Sequence, residues 1–311
     1  MKNEKLENSL SFFLLALLPI SIIVGPSISL TNIILINILL LVILNKLKFS
    51  QILRNFDLKI LFFIYLYLIF NLFISLDYEI GLARNLGFIR FLGLFIFINY
   101  FFFNYKDSKN LYIFWLVVIS VMLIDVYVEY FFGSNIFGWG DEEPYAERVV
   151  SFFKDEPVPG AFLSGFILMI FGYLLSKYKE KKLIPIAFIL ISFFGVFITG
   201  ERSNTIKLFI GITLMLLFLD FFKMKTKLII LLMIFSVLSI TVTQSKYFKN
   251  RYLGQFLSNL NSKENINEFL DKSLYFQLYK SGISVFKNYP LFGVGNKNYR
   301  VETCQPKKLN K

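Results

Sequence analysis

The sequence predicts an all-α protein, a polytopic bundle of about nine transmembrane helices. Two observations lead to this fold class. Hydrophobic residues make up 56 % of the 311 residues and charged residues only 17 %, whereas ordinary globular proteins contain roughly 25 % charged residues. The apolar residues also form long continuous windows instead of an alternating pattern, which favours membrane helices and excludes a closed β-barrel.

Nine windows carry little or no charge and are long enough to cross a bilayer, which takes roughly 20 apolar residues. They cover residues 9–25, 28–45, 60–76, 88–105, 111–131, 160–176, 183–199, 206–222 and 228–245. The first window follows two lysines, but no convincing small-residue cleavage site comes after it, so we interpret it as an uncleaved helix. The chain therefore divides into a transmembrane bundle, 1–245, and a hydrophilic tail, 246–311.

The distribution of lysine predicts the orientation. With a cytoplasmic N-terminus, the short inside segments carry 15 positive charges and the outside segments and span edges carry 6. The positive-inside rule therefore predicts a cytoplasmic N-terminus, and nine spans then place the tail on the outer side. This distribution explains most of the net charge of +12, so we expect no nucleic-acid partner.

Arginine is distributed differently from lysine. Of seven arginines only Arg54 falls in an inside loop, and the other six lie outside or at the outer membrane edge. These six are Arg84, Arg90, Arg148, Arg202, Arg251 and Arg300. Because a planar guanidinium binds phosphate or carboxylate through two hydrogen bonds, this set predicts an anionic ligand, preferably phosphate, at the outer face. The alternative is that each arginine reaches lipid headgroups or pairs with a nearby carboxylate.

A few charged side chains fall within the predicted spans. Arg90 lies in the fourth window, and Asp125 and Glu129 lie in the fifth. A charge at the bilayer centre costs at least about 2.5–3.5 kcal/mol, so such residues are functional candidates. The spacing of four residues puts Asp125 and Glu129 on one helix face. They either line a polar cavity that opens to the outside or form an interface pair with an arginine.

Several kinds of chemistry are excluded by composition and spacing. The chain has no histidine and one cysteine, Cys304, which excludes an intrachain disulfide and the Ser–His–Asp and Cys–His arrangements. Neither a metal-ligand pattern nor a phosphate-binding glycine loop is present, so we expect no metal or cofactor. We interpret Gly293-Val294-Gly295 as a turn after Tyr289-Pro290.

The tail contains one predicted amphipathic helix, over residues 273–287. Its apolar positions recur at helical spacing, and they are Leu274, Leu278, Gly282 and Val285. We expect this helix to lie either on the membrane or on the other spans. It should end before Pro290.

Three stretches of sequence carry a family resemblance. The first is Arg148-Val-Val-Ser-Phe-Phe, followed by Pro157 and Gly160. The second is Thr199-Gly-Glu-Arg-Ser-Asn, and the third is the Pro-Leu-Phe-Gly-Val-Gly pattern that begins at Pro290. In their order, spacing and predicted side of the membrane, these motifs resemble the O-antigen ligase/polymerase family of bacterial membrane glycosyltransferases. The resemblance covers about 60–300.

The resemblance implies a reaction and a location. Such enzymes transfer a glycan from a polyprenyl-diphosphate carrier, without a metal, on the periplasmic face of the bacterial inner membrane, in lipopolysaccharide and cell-envelope biosynthesis. Ligases join the glycan to lipid A-core, and polymerases join it to another glycan repeat. By motif position the resemblance implies that Arg148 and Arg202 hold the diphosphate. The less direct matches are Arg84, Arg90 and Arg251, with Lys207, Asp125 and Glu129 as supporting residues.

One feature departs from the family pattern. Members similar to this chain continue past the outer loop with a histidine motif and further spans, whereas this chain has no histidine and ends at Lys311. We expect a truncated chain that does not catalyse transfer alone; the alternatives are another way of activating the acceptor, or inactivity. From other classes, the alternative functions are a transporter or flippase for an anionic lipid or solute, and a non-catalytic assembly subunit.

Overall fold

The structure, a computed structural model, describes residues 2–44, 55–104, 108–139, 148–154, 156–250 and 274–304. Throughout these ranges the regular structure is helical, which confirms the all-α class. The helices are α1 (Lys2–Val24), α2 (Pro26–Ile43), α3 (Phe56–Phe73), α4 (Tyr78–Gly87), α5 (Ile89–Asn104), α6 (Ser108–Phe132), α7 (Pro159–Lys177), α8 (Leu183–Ile198), α9 (Arg202–Phe218), α10 (Met224–Gln244), α11 (Leu274–Asn288) and α12 (Tyr299–Cys304).

Seven helical stretches of the described chain are long and apolar enough to cross a membrane. They are Leu6–Val24, Pro26–Ile43, Phe56–Phe73, Tyr78–Asn104, Lys109–Phe132, Pro159–Lys177 and Met224–Gln244. Helices α8 and α9 are shorter, at 16 and 17 residues. Each of the nine predicted windows thus overlaps a helix. The number of membrane crossings and their orientation stay predictions.

Helix boundaries differ from the predicted windows where polar residues form the first turn. Helix α9 runs from Arg202 to Phe218, whereas the eighth window runs over 206–222. Helix α3 begins at Phe56 because the side chain of Asn55 accepts hydrogen bonds from the first free N–H groups, including that of Asp57 at 2.9 Å. A charge-free window marks the residues that can lie in hydrocarbon. The helix itself begins at its capping residue, which is polar and falls outside such a window.

Helix α4 is a separate element that the windows do not predict. Asp77 caps its N-terminus by accepting a hydrogen bond from the N–H of Glu79 at 3.0 Å. The chain then leaves helical hydrogen bonding at Phe88 before α5 begins at Ile89. The cap at Asp77 fixes the turn between α3 and α4, residues 74–77, which we call the platform.

The chain forms two compact units, each built around its own buried residues. The first comprises Met1–Leu14, Leu30–Tyr105 and Ser262–Lys311, and the second comprises Leu15–Ser29 and Lys106–Asn261. In the first unit the fully buried aromatic residues are Phe97 and Phe101 of α5. In the second unit α7 is central and contacts α6, α8 and α9. Its core residues are Leu163, Ile167, Ile170 and Phe171.

Candidate anion-binding site

Two buried carboxylates hold the first motif on α6. The carboxylate of Glu129 accepts hydrogen bonds from the N–H groups of Val150 at 2.8 Å and Ser151 at 2.6 Å. Asp125 accepts a hydrogen bond from the hydroxyl of Ser151 at 2.6 Å and another from the N–H of Ile136 at 3.0 Å. The two side chains act from one helix face, as their spacing predicts. They fix the loop that carries Arg148, and their role toward a diphosphate stays a prediction.

Ser151 occupies the tightest point of this loop. Its φ of +48° lies in the left-handed region that non-glycine residues rarely adopt. All three of its polar groups are bonded, since its carbonyl accepts a hydrogen bond from the side-chain amide of Asn135 at 3.0 Å. These bonds offset the unfavourable backbone conformation and hold the segment that begins at Arg148 in one shape.

The second motif forms a very short connection between α8 and α9. Only Thr199, Gly200 and Glu201 lie between the two helices, and Gly200 supplies a φ of +75°. Arg202 is the first residue of α9, so the connection is shorter than the gap at 200–205 between the predicted windows. Arg202 is therefore fixed at the N-terminal end of a helix, where the partial positive charge favours anions.

Glu201 joins the beginnings of two helices. One carboxylate oxygen accepts a hydrogen bond from the N–H of Gly160, in the first turn of α7, at 2.6 Å. The other accepts a hydrogen bond from the side-chain amide of Asn204 in α9. The residue before α7, Val158, makes no capping hydrogen bond through its side chain. Glu201 therefore supplies a cap for α7 from the neighbouring connection, and the positive ends of α7 and α9 meet at one carboxylate.

Gly160 explains how these two ends come so close. A Cβ atom at this position would lie 2.8 Å from Oγ1 of Thr199 and 2.9 Å from Oε1 of Glu201. Real Cβ atoms essentially never make contacts below 3.0 Å. The glycine of the first motif is thus required by the packing of the second motif against it.

The electrostatics at Glu201 combine burial with nearby cations. Burial raises the pKa of the Glu201 carboxyl above its ordinary value, while its hydrogen bonds and the nearby charge of Arg148 act in the opposite direction. In α9, Nζ of Lys207 donates a hydrogen bond to the side-chain oxygen of Asn204 at 3.4 Å. Arg148 is thus near enough to act on the Glu201 carboxyl, Arg202 is the next residue along the chain, and Lys207 bonds to the Asn204 amide that donates to this carboxylate.

The remaining predicted arginines lie elsewhere. Arg84 is exposed on α4, in the first unit. In the same unit the guanidinium of Arg90 lies 5.0 Å from the ring centre of Phe91, and its Nε is buried without a hydrogen-bond partner. Its backbone carbonyl accepts a hydrogen bond from the side chain of Asn37 at 3.1 Å. Arg251 lies outside the described residues.

The third motif docks on the turn between α3 and α4 through side-chain amides. The N–H of Asn296 donates to the side chain of Asn71 at 2.8 Å, and its side-chain amide donates to Asn85 at 2.6 Å. Asn298 accepts a hydrogen bond from the N–H of Asp77 at 2.8 Å and donates one to the Asp77 carbonyl at 2.9 Å. Sequence reasoning missed these four asparagines, since no local spacing links residues more than 200 positions apart.

Gly295 lets the third motif approach this platform. Its φ is +96°, and a Cβ atom there would lie only 2.3 Å from Cβ of Ser75. Next to it, the carbonyl of Val294 accepts a hydrogen bond from the N–H of Leu76 at 3.2 Å. The chain bends at Val294, with positive φ at Gly293 and Gly295, and Gly295 is the glycine that permits the close contact. Among the described residues no cluster of three or more cysteine and acidic side chains could hold a metal ion.

The second and third motifs lie in one continuous stretch of sequence that matches a known protein family. Residues 186–309 match the O-antigen ligase family. The match confirms the resemblance to the O-antigen ligase/polymerase family for this part of the chain. No curated protein and no solved structure matches the chain. Its long apolar helices make the protein an integral membrane protein, and residues 186–309 of it are similar to O-antigen ligases. Arg148 lies outside the matched stretch.

Proposed function

We propose that this O-antigen ligase-type protein transfers a saccharide from a polyprenyl-diphosphate carrier to a glycan or lipid A-core acceptor on the periplasmic face of the bacterial inner membrane. The observation that supports this most strongly is the convergence at Glu201, where the N-terminal ends of α7 and α9 meet beside Arg148 and Arg202. Two helix ends and two guanidinium groups would together attract a diphosphate.

The proposed chemistry makes specific use of this arrangement. The acceptor oxygen forms a bond to the anomeric carbon. The bond from that carbon to the diphosphate oxygen breaks with its electron pair going to the diphosphate, and the proton of the acceptor hydroxyl passes to water. Negative charge then accumulates on the leaving diphosphate. Arg202 and the helix ends would therefore stabilise the transition state more than the bound substrate, which is the condition for catalysis.

An apolar groove in the second unit supports a lipid-linked substrate. It has a volume of about 410 Å³ and is lined by side chains of α6, α8 and α10, among them Tyr127, Phe194 and Met233. Along α8, Phe194 lies roughly 6 Å from Ile198, the last residue of the helix, at a rise of about 1.5 Å per residue. We propose that the groove takes the first isoprene units of the carrier while the diphosphate lies at Glu201.

Arg202 provides the decisive test in the full-length protein. Arg202→Ala should lower kcat/KM for glycan transfer by about 100-fold or more, the usual effect of losing one donor to a developing charge. Arg202→Lys should restore only part, because an ammonium group lacks the bidentate fork. Transfer is measured with purified protein and lipid-linked glycan, and Arg300→Ala, an exposed arginine of α12, is the matched control.

Two outcomes would contradict the proposal. Normal transfer by the Arg202→Lys variant would reduce Arg202 to a headgroup anchor. Movement of the lipid-linked glycan across vesicle membranes, without formation of a new glycosidic bond, would favour the transporter alternative.

The predicted side of the membrane can be tested with the natural cysteine. Cys304 is a free, exposed thiol, so a membrane-impermeant thiol reagent should label it in cells whose outer membrane alone has been made permeable. Labelling that requires permeabilisation of the inner membrane would overturn the proposed periplasmic location of the tail. A Cys304→Ser variant controls for background labelling.

A further inference from the structure

Helix α11 carries an apolar stripe on its surface. Tyr279, Ile283 and Phe286 are 70 %, 56 % and 62 % exposed. Their spacing of four and three residues puts them on one side of the helix. This stripe differs from the predicted set, in which Val285 is half-buried.

The stripe is not the side through which α11 contacts α12. The hydroxyl of Tyr299 donates a hydrogen bond to the Ser281 hydroxyl at 2.8 Å, and the hydroxyl of Tyr289 donates one to the Glu302 carboxylate at 3.4 Å. At about 100° per residue, Ser281 lies on the opposite half of the helix from Ile283, and Tyr289 follows the last residue of α11. The stripe is therefore left exposed by the contacts of α11 within its own unit.

The C-terminal end of α11 is attached beside a membrane helix. Just after α11, the carbonyl of Phe292 accepts a hydrogen bond from the hydroxyl of Tyr67 at 3.4 Å, and its ring packs edge-on against Phe70 at 5.3 Å. Both partners lie in α3, a stretch long and apolar enough to span the bilayer. Leu291 and Phe73 at the same place are each 84 % exposed. These contacts hold the end of α11 near the end of a lipid-facing helix.

The charges of α11 suit an anionic surface. Between Leu274 and Asn288 the helix contains Lys280 and Lys287 and no acidic residue. Both lysines are exposed, and helical geometry places them along one border of the apolar stripe. Lysines at the border of an apolar face are typical of helices that lie in the interface of anionic membranes.

We propose that α11 lies in the plane of the membrane interface, with Tyr279, Ile283 and Phe286 against the acyl chains and with Lys280 and Lys287 among anionic headgroups. This arrangement does not depend on glycan transfer. It makes α11 an interfacial helix, which the third motif holds at its C-terminal end and lipid holds along its length.

Depth measurements in the full chain test this arrangement. In a Cys304→Ser background, Ile283→Cys and Phe286→Cys are labelled with an environment-sensitive fluorophore, and the protein is placed in phosphatidylglycerol nanodiscs. Lipids with a nitroxide near the head of the acyl chain, at a depth of roughly 5–10 Å, should quench both labels strongly, and aqueous iodide should quench them weakly. Ser284→Cys, on the exposed polar side, is the matched control and should show the reverse pattern.

Each possible result either supports or overturns the proposal. Equal iodide quenching at positions 283, 284 and 286 would show a helix standing in water. Protection from both iodide and the nitroxide lipid at 283 and 286 would show that protein covers the stripe instead. Nitroxide quenching should fall about two-fold or more in phosphatidylcholine nanodiscs, and Lys280→Glu with Lys287→Glu should remove this lipid dependence. An unchanged dependence in that double variant would overturn the role of the lysines.

Discussion

Two parts of the molecule hold a segment of chain onto membrane helices in different ways. In the second unit the carboxylate clasp, formed by Asp125 and Glu129, binds the loop that contains Ser151. In the first unit the amide clasp, formed by Asn71 and Asn85, binds Asn296. Both clasps use buried side chains and satisfy backbone N–H groups. They differ in charge. The charged clasp holds the loop that carries Arg148, and the neutral clasp holds the third motif.

A carboxylate accepts hydrogen bonds and cannot donate them, so it selects a run of N–H and O–H donors. The loop held this way carries Arg148, two residues before Val150. An amide both donates and accepts, which lets Asn85 bind the side chain of Asn296 and the carbonyl of Leu68 together. The amide clasp therefore fixes a segment without adding charge.

The largest effect on stability is expected at the carboxylate clasp. Glu129→Ala leaves the buried N–H groups of Val150 and Ser151 without their acceptors, and it should lower the free energy of unfolding by about 3 kcal/mol or more. Glu129→Gln should cost less, because its amide oxygen can still accept one of the two bonds. Thermal unfolding in detergent micelles measures both losses.

A surface variant provides the control for this prediction. Glu180→Ala changes an exposed side chain and should stay within about 0.5 kcal/mol of the natural chain. If Glu129→Ala unfolds together with this control, the two N–H groups have other partners and the clasp contributes nothing.

A smaller, local effect is expected at the amide clasp. Gly295→Ala places a methyl group 2.3 Å from Cβ of Ser75, whereas a Cβ atom added at Gly293, with a similar φ of +71°, would meet nothing within 4 Å. Both substitutions carry the backbone cost of a left-handed alanine, about 1–2 kcal/mol. Gly295→Ala should in addition detach the third motif. Amide hydrogen exchange at Leu76 and Asn296 should therefore accelerate much more in Gly295→Ala than in Gly293→Ala, and equal exchange would refute the contact.

The smallest effect concerns pH and is expected at Glu201. Since burial raises the pKa of Glu201, the folded protein holds this proton at pH values where the unfolded chain has lost it. The contribution of Glu201 to the free energy of unfolding therefore falls as pH rises from about 4.5 through the raised pKa, and it is constant above it. The asparagines of the amide clasp do not titrate.

Glu201→Gln isolates this contribution. Unfolding followed across acidic pH should show a shallower decline for the variant than for the natural chain, with Asn85→Ala, a change in the amide clasp, as a control that keeps the full slope. Identical slopes in Glu201→Gln and the natural chain would show that the carboxyl has its ordinary pKa.

The sequence predicted those features that depend on local spacing or on the solvent. Charge-free windows located the helices because hydrocarbon excludes charge, and the spacing of Asp125 and Glu129 placed both on one face. The separation of arginine from lysine predicted an anionic ligand, and two of those arginines lie beside Glu201.

Pairings between distant residues could not be predicted in this way. The bond from Gly160 to Glu201 spans 41 residues, and the bond from Asn296 to Asn85 spans 211. Such pairs form only once the helices have packed, and no local pattern at either partner specifies the other. Helix α4 was missed for another reason, because it is too polar for a membrane window and is defined by the cap at Asp77.

The amide clasp also imposes an order on biosynthesis. Asn71 leaves the ribosome 225 residues before Asn296, its eventual partner. At the usual 5–20 residues per second the turn between α3 and α4 waits roughly 10–45 s for the segment of chain that completes it. Throughout that interval the side-chain amides of Asn71 and Asn85 must bind water or a chaperone. The time at which these amides become inaccessible to solvent therefore reports how far translation has proceeded.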